Sequence, residues 1–209
     1  MVYHVCNKSI AKFRIFNNDH EYSRMIEAIK YYQRKQPAAK FGTFIKLDKK
    51  KQEQERASLR KKQKLVEIIA YCLMPTHLHL ILKTLQDGGI SRFMNNILVS
   101  YTRFFNIKHN RKGHLWEGRS KKILIETDNQ FLHLTRYIHL NPVTAHLVNK
   151  PEEWPYSSYR EYISKNRKSN AICRYEDLLD IEPEEYKNFT ESGINYQCEL
   201  AKMKKMLLE

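Results

Sequence analysis

His77 and His79 stand two apart in a run, His-Leu-His-Leu-Ile-Leu-Lys, whose alternation reads as a β-strand. On a strand both imidazoles point to one face, so the pair can share a metal ion. The plain alternative is two strand histidines on the polar side of a half-buried sheet. A second pair lies in Arg136-Tyr-Ile-His-Leu-Asn-Pro142. On a helix Tyr137 and Asn141 are four apart and share a face. A phenol and a side-chain amide can then reach the same metal-bound phosphate. Asn before Pro is also a common helix end, and Tyr a common core anchor; spacing alone leaves both readings open.

One motif is a decoy. Gly113 to Ser120 (GHLWEGRS) has the glycine spacing of a phosphate-binding loop but carries Arg119 where that loop needs Lys. It leads into the β-rich Lys-Lys-Ile-Leu-Ile rather than a long helix, which argues against nucleoside triphosphate binding.

The elements that must position these residues can be read in order. Val2 to Cys6 is a strand, and Asp19 to Gln33 an amphipathic helix with Tyr22, Met25, Ile26, Ile29 and Tyr32 on one side. Leu65 to Met74 and His77 to Lys83 are two strands joined by Met-Pro-Thr, a hairpin with Leu78, Leu80 and Leu82 facing the core and His77, His79, Ile81 and Lys83 facing the other way. Gly88-Gly89 opens a helix from about Ile90 to His109. A strand ends near Glu126, Asp128 is a candidate N-cap, and a helix from Asn129 to about Leu140 is stopped by Pro142. The order β-α-insert-β-β-α-β-α predicts an α+β fold with a ferredoxin-like or RRM-like antiparallel sheet. The expected organisation is a domain over 1–165 with a basic insert at 36–64, then an acidic helical C-terminal extension over 166–209.

Composition narrows the partner. The 209 residues carry 37 Lys+Arg against 23 Asp+Glu, a formal charge of +14, on a chain that is 42% apolar with 13 Tyr and 9 Phe. That is a folded domain with a basic surface, suited to a polyanion, with nucleic acid ahead of anionic membrane. Lys49 to Lys64 holds eight Lys/Arg and two Glu, and reads as a solvated loop or helix, or more sharply as a phosphate-contacting arm. From Ala171 on the chain turns acidic, with nine Asp/Glu against five Lys/Arg. Arg103, Lys108, Arg111, Lys112, Arg119, Lys121 and Lys122 surround Trp116 and form a candidate DNA-contacting region, with a core Trp116 as the equal alternative. The four cysteines, Cys6, Cys72, Cys173 and Cys198, have no metal-cage spacing and read as reduced core thiols. The N-terminus lacks a signal-peptide h-region and no run is long enough to span a bilayer, so a cytoplasmic, nucleoid-associated protein is expected, with no membrane partner.

Taken together, several blocks resemble one family. Tyr71-Cys-Leu-Met-Pro-Thr-His77-Leu-His79-Leu is similar to the Y-x-x-M-P-N-H-x-H-L signature of the REP-associated tyrosine transposases, relatives of the single-tyrosine HUH transposases. Ser100-Tyr-Thr-Arg-Phe-Phe-Asn, Gly113-His-Leu-Trp-Glu-Gly-Arg, Tyr137-Ile-His-Leu-Asn-Pro-Val-Thr-Ala and Trp154-Pro-Tyr-Ser-Ser-Tyr follow in that family's order, so the resemblance covers roughly Tyr3 to Tyr162. It implies that His77, His79 and Asn141 bind Mg²⁺ or Mn²⁺ and that Tyr137 attacks DNA. The implied activity is a metal-dependent single-stranded DNA endonuclease and strand transferase, a transposase that cleaves beside hairpins through a 5′-phosphotyrosine. The implied partner is single-stranded DNA with palindromic hairpin elements, with homodimer and monomer equally open. Two departures stand out: Thr76 replaces the usual Asn before the first histidine, and Thr144 an Arg common in the NPVRA block. The rival readings are a domesticated hairpin DNA or RNA binder that no longer cleaves, and an HUH replication initiator.

Overall fold

The computed structural model describes residues 1–35, 37–166 and 171–206, with side chains to 203. Gln36, where the basic insert was expected to begin, and residues 167–170 and 207–209 of the acidic extension lie outside the described residues. Four strands, β1 (Val2–Lys8), β2 (Val66–Met74), β3 (His77–Thr84) and β4 (Lys121–Ile125), form one antiparallel sheet in the order β2-β3-β1-β4. This is the ferredoxin-like order expected from the sequence.

Register decides which side chains meet. His4, Cys6 and Lys8 of β1 lie opposite Ile81, His79 and His77 of β3, and Cys6 and His4 lie opposite Lys121 and Ile123 of β4. Directly opposed residues share a face, so these side chains lie together, and Val5, Leu80 and Lys122 occupy the reverse face. The reverse face is covered by α4 (Gly89–Lys108), against which α1 (Asp19–Tyr31) packs, and the histidine face by α5 (Asp128–Thr144). With both faces covered, β3 is buried throughout its middle: Ile81 is fully buried and His79 only 7% exposed. The alternative reading, two histidines on the polar side of a half-buried sheet, does not hold; the second layer comes from α5.

Element bounds shift in instructive ways. The N-cap of α5 is Thr127, whose side chain accepts from Gln130 N, rather than Asp128. The helix runs through Pro142 to Thr144 instead of stopping before it. Proline costs one backbone hydrogen bond, to the carbonyl four residues earlier, and burial of Leu140, Pro142 and Val143 offsets it. At the start of α4, Gly88 takes φ +66, and a Cβ on Gly89 would sit 2.4 Å from the Leu65 carbonyl oxygen, so the helix can enter there only on glycine.

The insert leaves and returns at one point: Lys35 N donates to Gln63 O at 3.0 Å and Leu65 N to Gln33 O at 2.7 Å. Within it α2 (Phe41–Phe44) packs Phe41 and Phe44 under Tyr31, and α3 (Lys49–Arg60) buries Leu59 alone. The charge run is thus a largely exposed helix held by Leu59 and by Glu55, which accepts from Ala38 N at 2.8 Å and Tyr31 Oη at 3.2 Å. Beyond α5, α6 (Tyr159–Tyr162) and the residues before it seal the outer edge of β2: Leu73 N donates to Tyr156 O and Ser158 N to Tyr71 O, both at 2.9 Å. Helices α7 (Pro183–Ser192) and α8 (Ile194–Met206) pack on α5. The four cysteines are thiols outside any disulfide, Cys72 and Cys173 buried, Cys6 and Cys198 half-buried. Among the described residues no helix is long and apolar enough to cross a membrane.

Glu21 joins the first turn of α1 to the end of α4. Its carboxylate accepts from Asn17 N at 2.8 Å, from Lys108 Nζ at 2.7 Å, and pairs with His109 Nε2 at 2.7 Å. Burial raises its pKa, but these bonds outweigh burial and bring it from 4.5 down to about 2. A depressed folded-state pKa contributes stability that is complete above the unfolded value and is lost as pH falls from about 4.5 toward 2, here about 3 kcal/mol. Urea titrations at pH 7 and pH 3 are expected to show that loss in the wild type and a much smaller one in Glu21→Gln. An equal acid loss in both would reject the assignment.

Candidate active site

The histidine face of the sheet is where the chemistry-bearing residues converge. On β3 the rings of His77 and His79 are 5.0 Å apart, and on α5 the ring of Tyr137 stands edge-on to His79 at 6.0 Å. Tyrosine and histidines therefore meet within one chain. Each histidine is held through Nδ1. Thr76 Oγ1 is 2.9 Å from His77 Nδ1, so the departure from the usual Asn supplies the group that aims the first ring. His4 Nε2 lies 2.9 Å from His79 Nδ1 with the two rings stacked at 5.2 Å. Both Nε2 atoms make no hydrogen bond among the described residues. An imidazole fixed through one nitrogen and free at the other is the usual form of a metal ligand.

Burial lowers the pKa of all three, with help at His77 from Lys8 and at His79 from His77, His4 and Lys8; His77 falls to about 4. They are neutral near pH 7, the state in which imidazole donates a lone pair. Among the described residues there is no cluster of three or more His, Cys, Asp and Glu suited to a metal. Side-chain amides fall outside that set. Asn141 is one turn beyond Tyr137, 8% exposed, with its amide nitrogen buried and without a hydrogen-bond partner. A buried amide with an unpaired end costs free energy unless something outside the protein satisfies it. Its O and N positions are interchangeable by a flip, so the oxygen can take that place.

Tyr137 is 37% exposed, and its hydroxyl makes no hydrogen bond among the described residues. Burial, with Cys6 nearby, raises its pKa, so the phenol is protonated near pH 7. Its backbone carbonyl accepts from Gln197 Nε2 at 3.0 Å, which fastens α8 to the tyrosine-bearing turn.

The candidate DNA-contacting residues do not form one patch. Trp116 is in the core at 8% exposure, its indole N–H donating to Thr102 Oγ1 at 3.1 Å and Leu98 O at 3.3 Å, so its ring is no stacking platform. Lys108 is engaged by Glu21. Arg111 bonds Asn106 Oδ1 and His114 O and lies over Phe13. Arg103 and Lys112 are exposed on α4 and the loop after it. Lys121 is on the histidine face opposite Cys6, whereas Lys122 is on the reverse face with its ammonium 4.4 Å from the Tyr3 ring centroid. Arg119, just before β4, is exposed. His4 and Lys8 were not singled out from the sequence. The only signal was period-2 alternation in β1, which places them with Cys6 but does not say which strand they face.

Comparison with known proteins bears on this sheet order and on the His-x-His strand that faces a tyrosine helix. The family model described as "Transposase IS200 like" matches residues 42–141, a span that holds His77, His79, Tyr137 and Asn141. A protein of Haemophilus influenzae named for the REP-associated tyrosine transposases is 27% identical over 103 residues, 44% of this chain and 58% of its own length. The REP-associated tyrosine transposase of Escherichia coli K12 is 26% identical over 107 residues, 50% of this chain and 61% of its length. The matches thus span about three fifths of these relatives. A solved REP-associated tyrosine transposase bound to a REP hairpin shares the fold, with TM-score 0.55 and 18% identity over 86% of this chain and 88% of that one. Over residues 42–141 the chain is similar to the IS200-like transposases, and in sequence it is similar to two REP-associated tyrosine members.

Proposed function

We propose that this protein is a metal-dependent single-stranded DNA endonuclease and strand transferase that cuts beside hairpins with Tyr137 as nucleophile. The observation that carries the reading is the meeting, in one chain, of the exposed Tyr137 phenol with two imidazoles each fixed through Nδ1. His77, His79 and Asn141 would hold the ion, Mg²⁺ or Mn²⁺. Such a cation neutralises charge on the non-bridging phosphate oxygens. The Tyr137 oxygen forms a bond to phosphorus, the bond from phosphorus to the 3′-oxygen breaks, and the phenolic proton is replaced by one gained at the 3′-hydroxyl. The products are a 5′-phosphotyrosine and a free 3′-OH. The new ester keeps the energy of the broken one, so rejoining to another 3′-OH needs no nucleotide hydrolysis, in line with the absence of a true phosphate-binding loop in the sequence. Hairpin-bearing DNA is the proposed partner, in keeping with the ligand of the solved relative.

The test is peptide mapping after incubation with hairpin-flanked single-stranded DNA and Mn²⁺. A denaturation-resistant adduct on the peptide containing Tyr137 is expected; an adduct elsewhere, or none with any divalent ion, overturns the reading. His4 acts through His79. His4→Ala is expected to weaken Mn²⁺ binding by about tenfold in calorimetry without DNA, and unchanged affinity would show that His4 does not orient the ligand.

A further inference from the structure

Three clefts outside the tyrosine site share walls. The first, about 270 Å³, opens on the histidine face and is lined by Cys6, Lys8, Glu117, Arg119 and Lys121. The second, about 750 Å³, lies on the reverse face between α4 and β4, with Ile90, Met94 and Leu98 as its floor and Arg119 and Lys122 at its rim. Gly118 and Arg119 line both, so the two are continuous around the end of β4. Asn7 of β1 pins that corner, donating to Gly118 O and Ser120 Oγ at 3.1 Å. The third, about 620 Å³, lies between the insert and α4 and is lined by Lys35, Lys40, Arg92, Asn95 and Asn96 among others; Asn95 also lines the second. The path carries seven cations and one carboxylate. None of the seven is in an ion pair among the described residues, whereas Lys30, Lys51, Lys64 and Lys108 elsewhere are.

Resting on the function proposed above, we infer that these clefts form one track for the DNA strand adjoining the cleavage point, leading from the tyrosine site around the β4 edge to the basic insert. The chemistry is that of single-strand binding: a line of cations for phosphates and an apolar floor against which bases can lie. Geometry selects a single strand over a duplex. The track passes from one face of a sheet to the other around a corner, and duplex DNA, stiff over about 150 base pairs, does not bend that sharply without a large cost. The insert gains a role thereby. Its stem, closed at Lys35 and Gln63, brings Lys35 and Lys40 to the far end of the track.

The test uses the full chain in EDTA, which separates binding from cutting, with oligothymidylates of about 6 and about 20 nucleotides as probes. Lys35→Glu/Lys40→Glu/Arg92→Glu reverses the far end only. Wild type is expected to bind the longer probe at least tenfold more tightly. The triple variant should match wild type on the short probe, lose most of that gain on the long one, and lower the salt slope by about 2, at about 0.7 per phosphate contact. The milder Lys35→Gln/Lys40→Gln/Arg92→Gln should fall between, which guards against a folding defect. A long-probe gain unaffected by the variants, equal loss on both probes, or a duplex of equal length competing as well as the single strand would each overturn the track. Adduct formation at Tyr137 is scored separately, on the short probe carrying a cleavable site with Mn²⁺. A failure of the chemistry and a failure of the track are therefore seen apart.

Discussion

Tyr137→Phe is expected to reduce covalent protein-DNA adduct by at least about 10³-fold while leaving affinity for hairpin-bearing DNA within about twofold. The phenolic oxygen, the proposed nucleophile, is the only group removed, and loss of a nucleophile costs catalysis rather than binding. The substitution is also structurally mild. The Tyr137 hydroxyl makes no hydrogen bond among the described residues, and the ring is 37% exposed, so its edge-on contact with His79 can persist in phenylalanine. A thermal midpoint within about 2 °C of wild type should accompany the loss, since no buried partner is stranded. Adduct that survives in Tyr137→Phe would move the nucleophile to another residue. Because the tyrosine and both histidines meet within one chain, mixing Tyr137→Phe with His77→Ala should not restore adduct. Restoration in the mixture would show that the working site is shared between two chains.

Much of this arrangement was legible in the sequence, and what was not has identifiable causes. Period-2 alternation placed His77 and His79 on one face, and helical spacing placed Tyr137 and Asn141 one turn apart, because both are local properties of the backbone. The strand and helix order followed from the same periodicities. Strand register is not local. Nothing within residues 1–8 says that His4 will lie beside His79, 75 residues away, so the group that orients the second imidazole was missed. The charge cluster around Trp116 failed for a different reason. A run of cations reports charge per segment, not direction, and folding sends Lys121 and Lys122 to opposite faces while Lys108 turns inward to Glu21. The alternation rule applied to β4 would have separated the first two. Pro142 was read as a stop because its cost is local, whereas the burial that outweighs it comes from packing of α5 against β2.

That packing rests on a buried polar chain, and breaking it gives the largest stability effect expected. His139 is fully buried on α5, with Nδ1 2.7 Å from Tyr186 Oη of α7 and Nε2 2.8 Å from Ser158 Oγ. Ser158 Oγ in turn accepts from Tyr71 N at 2.9 Å, on the outer strand of the sheet. One neutral imidazole, donating through one nitrogen and accepting at the other, thus ties the sheet edge, the tyrosine-bearing helix and the C-terminal segment together. His139→Leu conserves much of the volume but leaves the Tyr186 hydroxyl short of its partner and removes one bond from Ser158. The expected cost is about 2–4 kcal/mol, or roughly 6–12 °C in melting temperature for a chain of this size. His139→Ala adds a cavity and should cost more. Hydrogen exchange locates the effect: amides of α5 and of β2 near Tyr71 should lose protection together with those of α7, while α1 and α4 keep theirs. Loss confined to α7 would mean that the chain of hydrogen bonds does not couple the C-terminal segment to the helix carrying Tyr137. Joint loss would mean that the acidic extension holds the Tyr137 helix against the sheet, and then, on the proposed function, His139→Leu should also slow adduct formation without touching Tyr137, His77 or His79.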